Sequence, residues 1–261
     1  MHHQQPLRIH TPGTDDSGSE SQESGTRNLS TMKEIILNSR FGIWDDVLPA
    51  CDFGNLMAHV SKEKFFTPHK DCWQSVWKTT DGECLRTAAY FSESFPTKTP
   101  LDAIFEVMVE ICLAHPELCG VNPDEWNRLT ISSYIYPCGT RLSWHGDGGN
   151  YSAALTYYCH PRWSPHWGGE LLVANTPPES CIPSLDYDVD PGVDHSRLDA
   201  WINAYGVGHL IVPKPNRLVL MKSGTCHMVN RVDSAAGDNL RMSVVGFTLA
   251  SPKRQVIAQA A

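Results

Sequence analysis

The chain has 261 residues, of which 41% are hydrophobic, and this is enough to fill one core. Its 21 basic and 29 acidic residues give a net charge of −8 with no long Lys/Arg run, which argues against nucleic acid as a partner. No apolar stretch approaches the roughly 20 residues of a membrane span, so no membrane partner is expected. The nine cysteines are scattered without a CxxC pair, and no hydrophobic signal segment opens the chain; both features favour a soluble, cytoplasmic protein with free thiols.

The first 31 residues are polar and poor in bulky apolar side chains, as in the run DDSGSESQESGT at residues 15–26. Such a segment cannot bury enough apolar surface to offset the entropy lost on ordering. We therefore predict a disordered tail over residues 1–31 and a single folded domain over residues 32–261.

Two helices are predicted early in the folded part. The first has an apolar stripe at i, i+3, i+4 and i+7, formed by Phe53, Leu56, Met57 and Val60. The second begins with Thr99 as N-cap and Pro100 in the first helical position, and it ends at Pro116 and Gly120. Its stripe is formed by Leu101, Ile104, Phe105, Met108 and Ile111 or Cys112.

From residue 127 onward the hydrophobic period changes to two, which is typical of strands. Apolar and polar side chains alternate in LTISSYIY at residues 129–136. Further strand-like runs are SAALTYY (152–158), GGELLVA (168–174), RLVLMK (217–222) and RMSVVGFTL (241–249). Helices followed by many short strands predict a mostly β fold, an antiparallel sandwich or barrel with supporting helices on one side.

Residues 175–215 interrupt this series with the turn signals PP, DPG and KPN and one short helix-like stretch at residues 197–204. A long insertion in a compact domain is usually a functional lid or a mobile loop. The alternative is a surface loop without a function.

The most informative local motif is WHGDGG at residues 144–149, directly after a predicted strand. His145 and Asp147 are two positions apart at a strand end, so both side chains can reach one metal ion. A lone His-x-Asp is weak evidence for a metal site. His227, however, lies at the end of the strand-like run RLVLMKSGTCHMV, and with it the candidate ligand set consists of two imidazoles and one carboxylate. This facial triad is typical of non-haem iron(II), and it leaves three of six positions for a chelating 2-oxo acid and dioxygen.

Arg241 and Ser243 follow His227 on an apolar strand, where they share a face with Val245 and Phe247. A guanidinium on an inward apolar face is costly unless it meets an anion. The distal carboxylate of 2-oxoglutarate meets this need, because Arg241 can hold both oxygens and Ser243 can donate its hydroxyl. The alternative is an arginine paired with a structural Asp or Glu.

In this order, the motifs resemble the iron(II)/2-oxoglutarate-dependent dioxygenase superfamily, in particular its prolyl-4-hydroxylase-like branch. The resemblance spans about residues 129–249 and includes YPCGTRLSWHGD (136–147), LTYY (155–158) and GGEL (168–171), followed by His227, Arg241 and Ser243. It implies a double-stranded β-helix (jelly-roll) core with iron at its open end. It also implies Fe(II) as cofactor, 2-oxoglutarate as co-substrate and ascorbate as a reductant.

Further roles follow from matched positions. Tyr136 and Tyr158 resemble tyrosines that help to bind 2-oxoglutarate, with ordinary strand packing as the alternative. Halogenating relatives lack the carboxylate at the position of Asp147, so its presence favours hydroxylation or a related oxidation. His160 and His166 lie in the His- and Trp-rich segment 159–167, and we interpret them as loop or substrate-facing residues.

The sequence thus predicts an oxygenase that hydroxylates or otherwise oxidises an unactivated C–H bond and releases succinate and CO2. A small molecule or biosynthetic intermediate is the expected substrate, because no recognition domain or peptide-binding segment is identifiable. A protein (prolyl) hydroxylase is the alternative, and an inactive metal-binding β-barrel module is a third hypothesis. The sequence does not indicate an oligomeric state.

Overall fold

In the computed structural model the described residues are 32–67, 81–147, 150–175, 203–204 and 206–251. The predicted tail at residues 1–31 lies outside these ranges. Most of the predicted insertion at residues 175–215 also lies outside them, including residues 197–202 of its helix-like stretch.

The described part of the chain contains twelve strands and three α-helices. The strands are β1 (Lys33–Leu37), β2 (Phe41–Asp45), β3 (Leu85–Arg86), β4 (Tyr90–Phe91), β5 (Trp126–Tyr136), β6 (Leu142–Gly146), β7 (Tyr151–Tyr158), β8 (Leu171–Ala174), β9 (Gly208–Ile211), β10 (Leu218–Lys222), β11 (Cys226–Val229) and β12 (Arg241–Ala250). The helices are α1 (Ala50–Val60), α2 (Leu101–Ala114) and α3 (Pro116–Cys119). None of these helices is long and apolar enough to span a bilayer.

The strands form two antiparallel sheets. The larger has the order β1-β2-β10-β7-β12-β5-β3, with β4 also paired to β5, and the smaller has the order β6-β11-β8-β9. This jelly-roll arrangement of two sheets with supporting helices confirms the predicted fold class.

The two faces of the larger sheet pack against different partners, because successive side chains of a strand point to opposite faces. One face packs against helices α1 and α2 through residues such as Leu129, Ile131, Leu155 and Val244. The other face meets the smaller sheet and carries Tyr134, Tyr136, Ala154 and Tyr158 opposite Leu171, Val173 and Val229. The space between the sheets is therefore lined with aromatic, polar and apolar groups together.

Helix α2 is a core element, since nine of its 14 residues are buried. Hydrogen bonds fix the start of this helix. The Asp102 carboxylate accepts from the backbone N–H of Thr97 at 2.7 Å and of Lys98 at 2.8 Å. Thr99 Oγ1 accepts from the backbone N–H of Leu101 at 3.3 Å. The predicted start of this helix is confirmed to within one residue.

Two features of the fold differ from the prediction. Strands β1 and β2 precede the helices and were not predicted. The run RLVLMKSGTCHMV does not form one strand: β10 lies in the larger sheet and β11 in the smaller one, joined by a turn at Gly224 with φ of 78°. Glycine adopts this left-handed conformation without strain, so the chain can cross between sheets here.

Candidate active site

His145, Asp147 and His227 meet in the space between the sheets. His145 on β6 pairs directly with His227 on the neighbouring strand β11, and Asp147 follows β6. The Asp147 carboxylate oxygens lie 3.9 Å from His145 Nε2 and 3.4 Å from His227 Nε2. One candidate ligand atom from each residue lies within 4.8 Å of the other two, so all three side chains can bind one ion.

The two imidazoles are oriented by the same kind of hydrogen bond. His145 Nδ1 lies 2.8 Å from the carbonyl oxygen of Ser143, and His227 Nδ1 lies 2.8 Å from the carbonyl oxygen of Thr225. A carbonyl can only accept, so each Nδ1 carries the proton and donates it. Each Nε2 atom lies near the Asp147 carboxylate and therefore keeps its lone pair free, as metal ligation requires.

Burial keeps the His145 ring neutral. His145 is 2% exposed, and its burial, together with the nearby His227, lowers its pKa to about 4 against the opposing effect of Asp147. At neutral pH this imidazole is uncharged and its Nε2 lone pair is free, which is the form that binds a metal ion.

A buried carboxylate supports the strand that carries His145. Asp81 accepts hydrogen bonds from Arg141 Nε at 2.6 Å and from Ser143 Oγ at 2.9 and 3.0 Å. Ser143 is also the residue whose carbonyl holds the His145 ring, so Asp81 fixes the backbone that orients this imidazole. Sequence analysis missed Asp81, because its partners lie about 60 positions away.

Arg241 begins β12 on the larger sheet and is 2% exposed. Its guanidinium carbon lies 5.0 Å from the ring centroids of both Tyr136 and Tyr158, and its Nε donates to the carbonyl of Gly169 at 2.7 Å. Within the described ranges, no carboxylate forms an ion pair with Arg241. The alternative of a structural carboxylate partner therefore has no support in this part of the chain.

Two hydroxyls beside Arg241 are buried without a hydrogen-bond partner among the described residues: Ser243 Oγ and the phenol oxygen of Tyr158. Ser243 pairs with Tyr158 across β12 and β7, so the two side chains are neighbours. Burial raises the pKa of Tyr158, with Arg241 opposing, and this keeps the phenol protonated as a donor. A buried hydroxyl without a protein partner is costly, so Ser243 Oγ, which lines the cavity, is available to a polar ligand at this position.

One cavity joins these groups and encloses about 540 Å³ including its mouth. Six of the predicted site residues line it: His145, Asp147, His227, Arg241, Ser243 and Tyr136. Tyr158 is not a lining residue and instead packs its ring on the Arg241 guanidinium. Val245 and Phe247 also line the cavity, as their shared face with Arg241 predicts.

Several lining residues were not predicted from the sequence, namely Tyr134, Leu142, Ala154, Thr156, Leu171, Met221 and Val229. Strand alternation could have found some of them. Tyr134 shares a face with Tyr136, and both Ala154 and Thr156 share a face with Tyr158.

His160 lies in the loop after β7, as predicted, but it is buried in the core and does not line the cavity. His160 is 0% exposed, its Nε2 donates to the carbonyl of Pro213 at 2.7 Å, and its Nδ1 accepts from Met242 N at 3.3 Å. Burial lowers its pKa to about 4, so it is a neutral core residue. His166 is exposed in a short 3-10 turn, in agreement with a loop position.

The chemistry of these side chains fits an iron ion with a bound 2-oxo dicarboxylic acid. Two imidazoles and one carboxylate are the donor set of non-haem iron(II) sites with open positions. On the facing sheet, the buried Arg241 guanidinium and the buried Ser243 hydroxyl offer donors to an anion.

A family model described as the 2OG-Fe(II) oxygenase superfamily matches residues 129–249. The matched region contains every predicted site residue. No curated protein sequence matches the chain.

Several solved structures share this fold. A prolyl-4-hydroxylase from Pseudomonas putida has a TM-score of 0.56 at 19% identity, covering 80% of this chain and 92% of that one. A prolyl hydroxylase from Trichoplax adhaerens, in complex with a peptide fragment of the hypoxia inducible factor oxygen degradation domain, has a TM-score of 0.55 at 14% identity, covering 84% and 87%. The epimerase SnoN, in complex with Fe3+, alpha ketoglutarate and nogalamycin RO, has a TM-score of 0.52 at 14% identity, covering 80% and 78%. At these identities the similarity is one of fold.

Proposed function

We propose that the chain, whose residues 129–249 match the family model of the 2OG-Fe(II) oxygenase superfamily, oxidises an unactivated C–H bond of a small molecule or biosynthetic intermediate. The family match indicates an oxidoreductase of the non-haem iron dioxygenase class, with iron and 2-oxoglutarate as cofactor and co-substrate. The proposed reaction consumes dioxygen and 2-oxoglutarate and releases succinate and CO2 as the substrate is hydroxylated or otherwise oxidised.

In this proposal His145, Asp147 and His227 hold the iron. The supporting observation is the convergence of their ligand atoms, with the two Nε2 atoms 3.9 and 3.4 Å from the Asp147 carboxylate oxygens. When bound, the iron supplies oxidative decarboxylation of 2-oxoglutarate coupled to oxidation of the substrate C–H bond. Asp147 occupies the position that chloride needs in halogenating relatives, and this favours hydroxylation or a related oxidation.

Arg241 and Ser243 bind the distal carboxylate of 2-oxoglutarate in this proposal. Arg241 is held at its Nε by Gly169 and lies between two aromatic rings, so its remaining N–H groups keep a fixed direction towards the anion. Ser243 Oγ lines the cavity and adds a donor without another described partner, while Tyr158 supports the guanidinium through its ring. Tyr136 contributes its ring to the guanidinium and lines the cavity.

The remaining cavity wall is largely apolar. Ala154, Met221, Val245 and Phe247 line it together with Thr156. A wall of this kind excludes water from the reacting atoms and suits an uncharged hydrocarbon part of a substrate next to the iron ligands.

A protein (prolyl) hydroxylase is the second candidate. Its support is that two of the structures with this fold are prolyl hydroxylases, one with a bound peptide fragment, whereas SnoN holds nogalamycin RO. The fold therefore accommodates both kinds of substrate, and the choice rests on a substrate screen. We expect iron-dependent succinate release above background with free metabolites or amino acids. Release with prolyl peptides or folded proteins alone would favour the second candidate.

The metal site is tested with Asp147→Ala. Removing the carboxylate that faces both imidazoles should weaken iron(II) binding at least about 100-fold and abolish substrate-coupled succinate formation. Iron affinity is measured by anaerobic titration calorimetry, and succinate by mass spectrometry with ascorbate as reductant. The control is Asp238→Ala, an exposed carboxylate outside the cavity, which should behave as wild type. Wild-type iron affinity and coupling in Asp147→Ala would mean that the iron site has been misplaced, and no succinate from wild type would favour the inactive module.

A further inference from the structure

The segment at residues 159–167 contains two tryptophans and two histidines, and the proposed function uses none of them. It connects β7 to β8 and leads directly into Gly168 and Gly169. Trp163 is half-buried in it, and a large ring in a connecting loop is usually kept in place by something that it contacts.

Gly168 and Gly169 lie in a backbone conformation that L side chains rarely adopt, with φ of 67° and 71°. A Cβ at Gly169 would stand 2.9 Å from Arg241 Cδ and 3.2 Å from Trp163 Cζ2. The Arg241 side chain and the Trp163 indole therefore both pack closely against Gly169, where only a glycine leaves enough space for them.

Trp163 also fixes this backbone by a hydrogen bond. Its Nε1 donates to the carbonyl of Gly168 at 2.8 Å, next to the Gly169 carbonyl that accepts from Arg241 Nε at 2.7 Å. The Trp163 indole also packs against two other rings, and its centroid lies 4.9 Å from that of His160 and 5.4 Å from that of Trp167.

From these contacts we infer that Trp163 is a positioning residue for the co-substrate: it holds the two glycines against Arg241 and thereby sets the direction of the guanidinium. The inference rests on the proposed function for the assignment of 2-oxoglutarate to Arg241. A guanidinium donates from a rigid planar fork, so its grip on a carboxylate depends on orientation as well as charge. Loosening the Gly169 carbonyl releases Nε and lets that plane turn.

The test compares two ligands on the iron(II)-loaded, oxygen-free protein. 2-Oxoglutarate reaches both the metal and Arg241, whereas oxalate can chelate the metal but has no distal carboxylate. Trp163→Phe retains a ring and removes the N–H, and we expect it to weaken 2-oxoglutarate binding about tenfold while leaving oxalate binding unchanged. Trp126→Phe removes the same kind of indole hydrogen bond, here to the Gly120 carbonyl at 3.0 Å, but outside the cavity; it is the matched control and should change neither.

Arg241→Gln separates this inference from the proposed function. If Arg241→Gln leaves 2-oxoglutarate binding unchanged, the co-substrate site itself is wrong. If Arg241→Gln weakens binding but Trp163→Phe does not, the positioning role alone is overturned. It is equally overturned if Trp163→Phe weakens oxalate as much as 2-oxoglutarate, since that result indicates general damage to the fold. In the Arg241→Gln background, Trp163→Phe should have no further effect; Trp163→Tyr repeats the comparison if Trp163→Phe proves too unstable to purify.

Discussion

Replacing Ser243 by alanine should stabilise the ligand-free protein and weaken co-substrate binding at the same time. Ser243 is 1% exposed, and its hydroxyl has no hydrogen-bond partner among the described residues. A buried hydroxyl without a partner costs about 1–3 kcal/mol, so Ser243→Ala should raise the free energy of unfolding of the metal-free protein by at least about 1 kcal/mol. In a domain of this size, each kcal/mol corresponds to a rise of about 2–4 °C in Tm.

The same hydroxyl gains a charged partner when the distal carboxylate is bound. Hydrogen bonds to charged groups contribute about 1.5–3 kcal/mol, so Ser243→Ala should raise the Kd of 2-oxoglutarate by about tenfold or more. Urea unfolding of the metal-free protein measures the first effect, and anaerobic titration of the iron(II)-loaded protein measures the second.

A matched serine on β7 provides the control. Ser152 is 2% exposed, but its hydroxyl lies 2.7 Å from Thr248 Oγ1 and is satisfied. Ser152→Ala should therefore destabilise the protein by about 1 kcal/mol and leave the Kd of 2-oxoglutarate unchanged. If Ser243→Ala lowers stability as much as Ser152→Ala does, the Ser243 hydroxyl is already satisfied without a ligand and the reasoning fails.

Asn216→Ala should cost about 3–4 kcal/mol in urea unfolding, because the Asn216 amide makes 2.7–2.8 Å hydrogen bonds with Leu48 N, Leu48 O and the Tyr157 hydroxyl. Residue 216 has a φ of 60°, a conformation that glycine adopts with less strain than alanine. Asn216→Gly should therefore recover about 1 kcal/mol of this loss, and equal stabilities of the Ala and Gly variants would contradict this explanation. His160, with a folded pKa of about 4 against 6.5, contributes stability that is fully present above pH 6.5 and lost as pH falls towards 4. The stability difference between wild type and His160→Asn should therefore shrink by about 2 kcal/mol from pH 8 to pH 5, and a constant difference would show that His160 does not titrate in this range.

The sequence indicated six residues that the structure brings into one cavity, because residues of this kind are chemically conspicuous. A His-x-Asp at a strand end, a distant histidine and an arginine on an apolar face are each costly or rare, and Val245 and Phe247 followed from the period-two pattern. The burial of His160 was not predictable in this way, because the local sequence of a loop does not show whether its histidine is exposed or buried. Its partners, Pro213 and Met242, lie 53 and 82 positions away, so nothing local reveals them.

The fold was predicted where alternation is regular and missed where it is not. All five residues of β2 are buried and all five of β1 are exposed, so neither strand shows a period of two. The division between β10 and β11 was missed for another reason. Both strands are apolar, and a change of sheet at Gly224 alters the partners of a strand without altering its pattern.

The two halves of the site belong to different layers of the sandwich. His145 and His227 lie on strands of the smaller sheet, and Arg241 and Ser243 lie on a strand of the larger one. A dicarboxylic acid that contacts both sheets at once fits only one distance between them. A substitution that shifts one sheet relative to the other, even on the far side of helix α2, should therefore change the affinity for that acid.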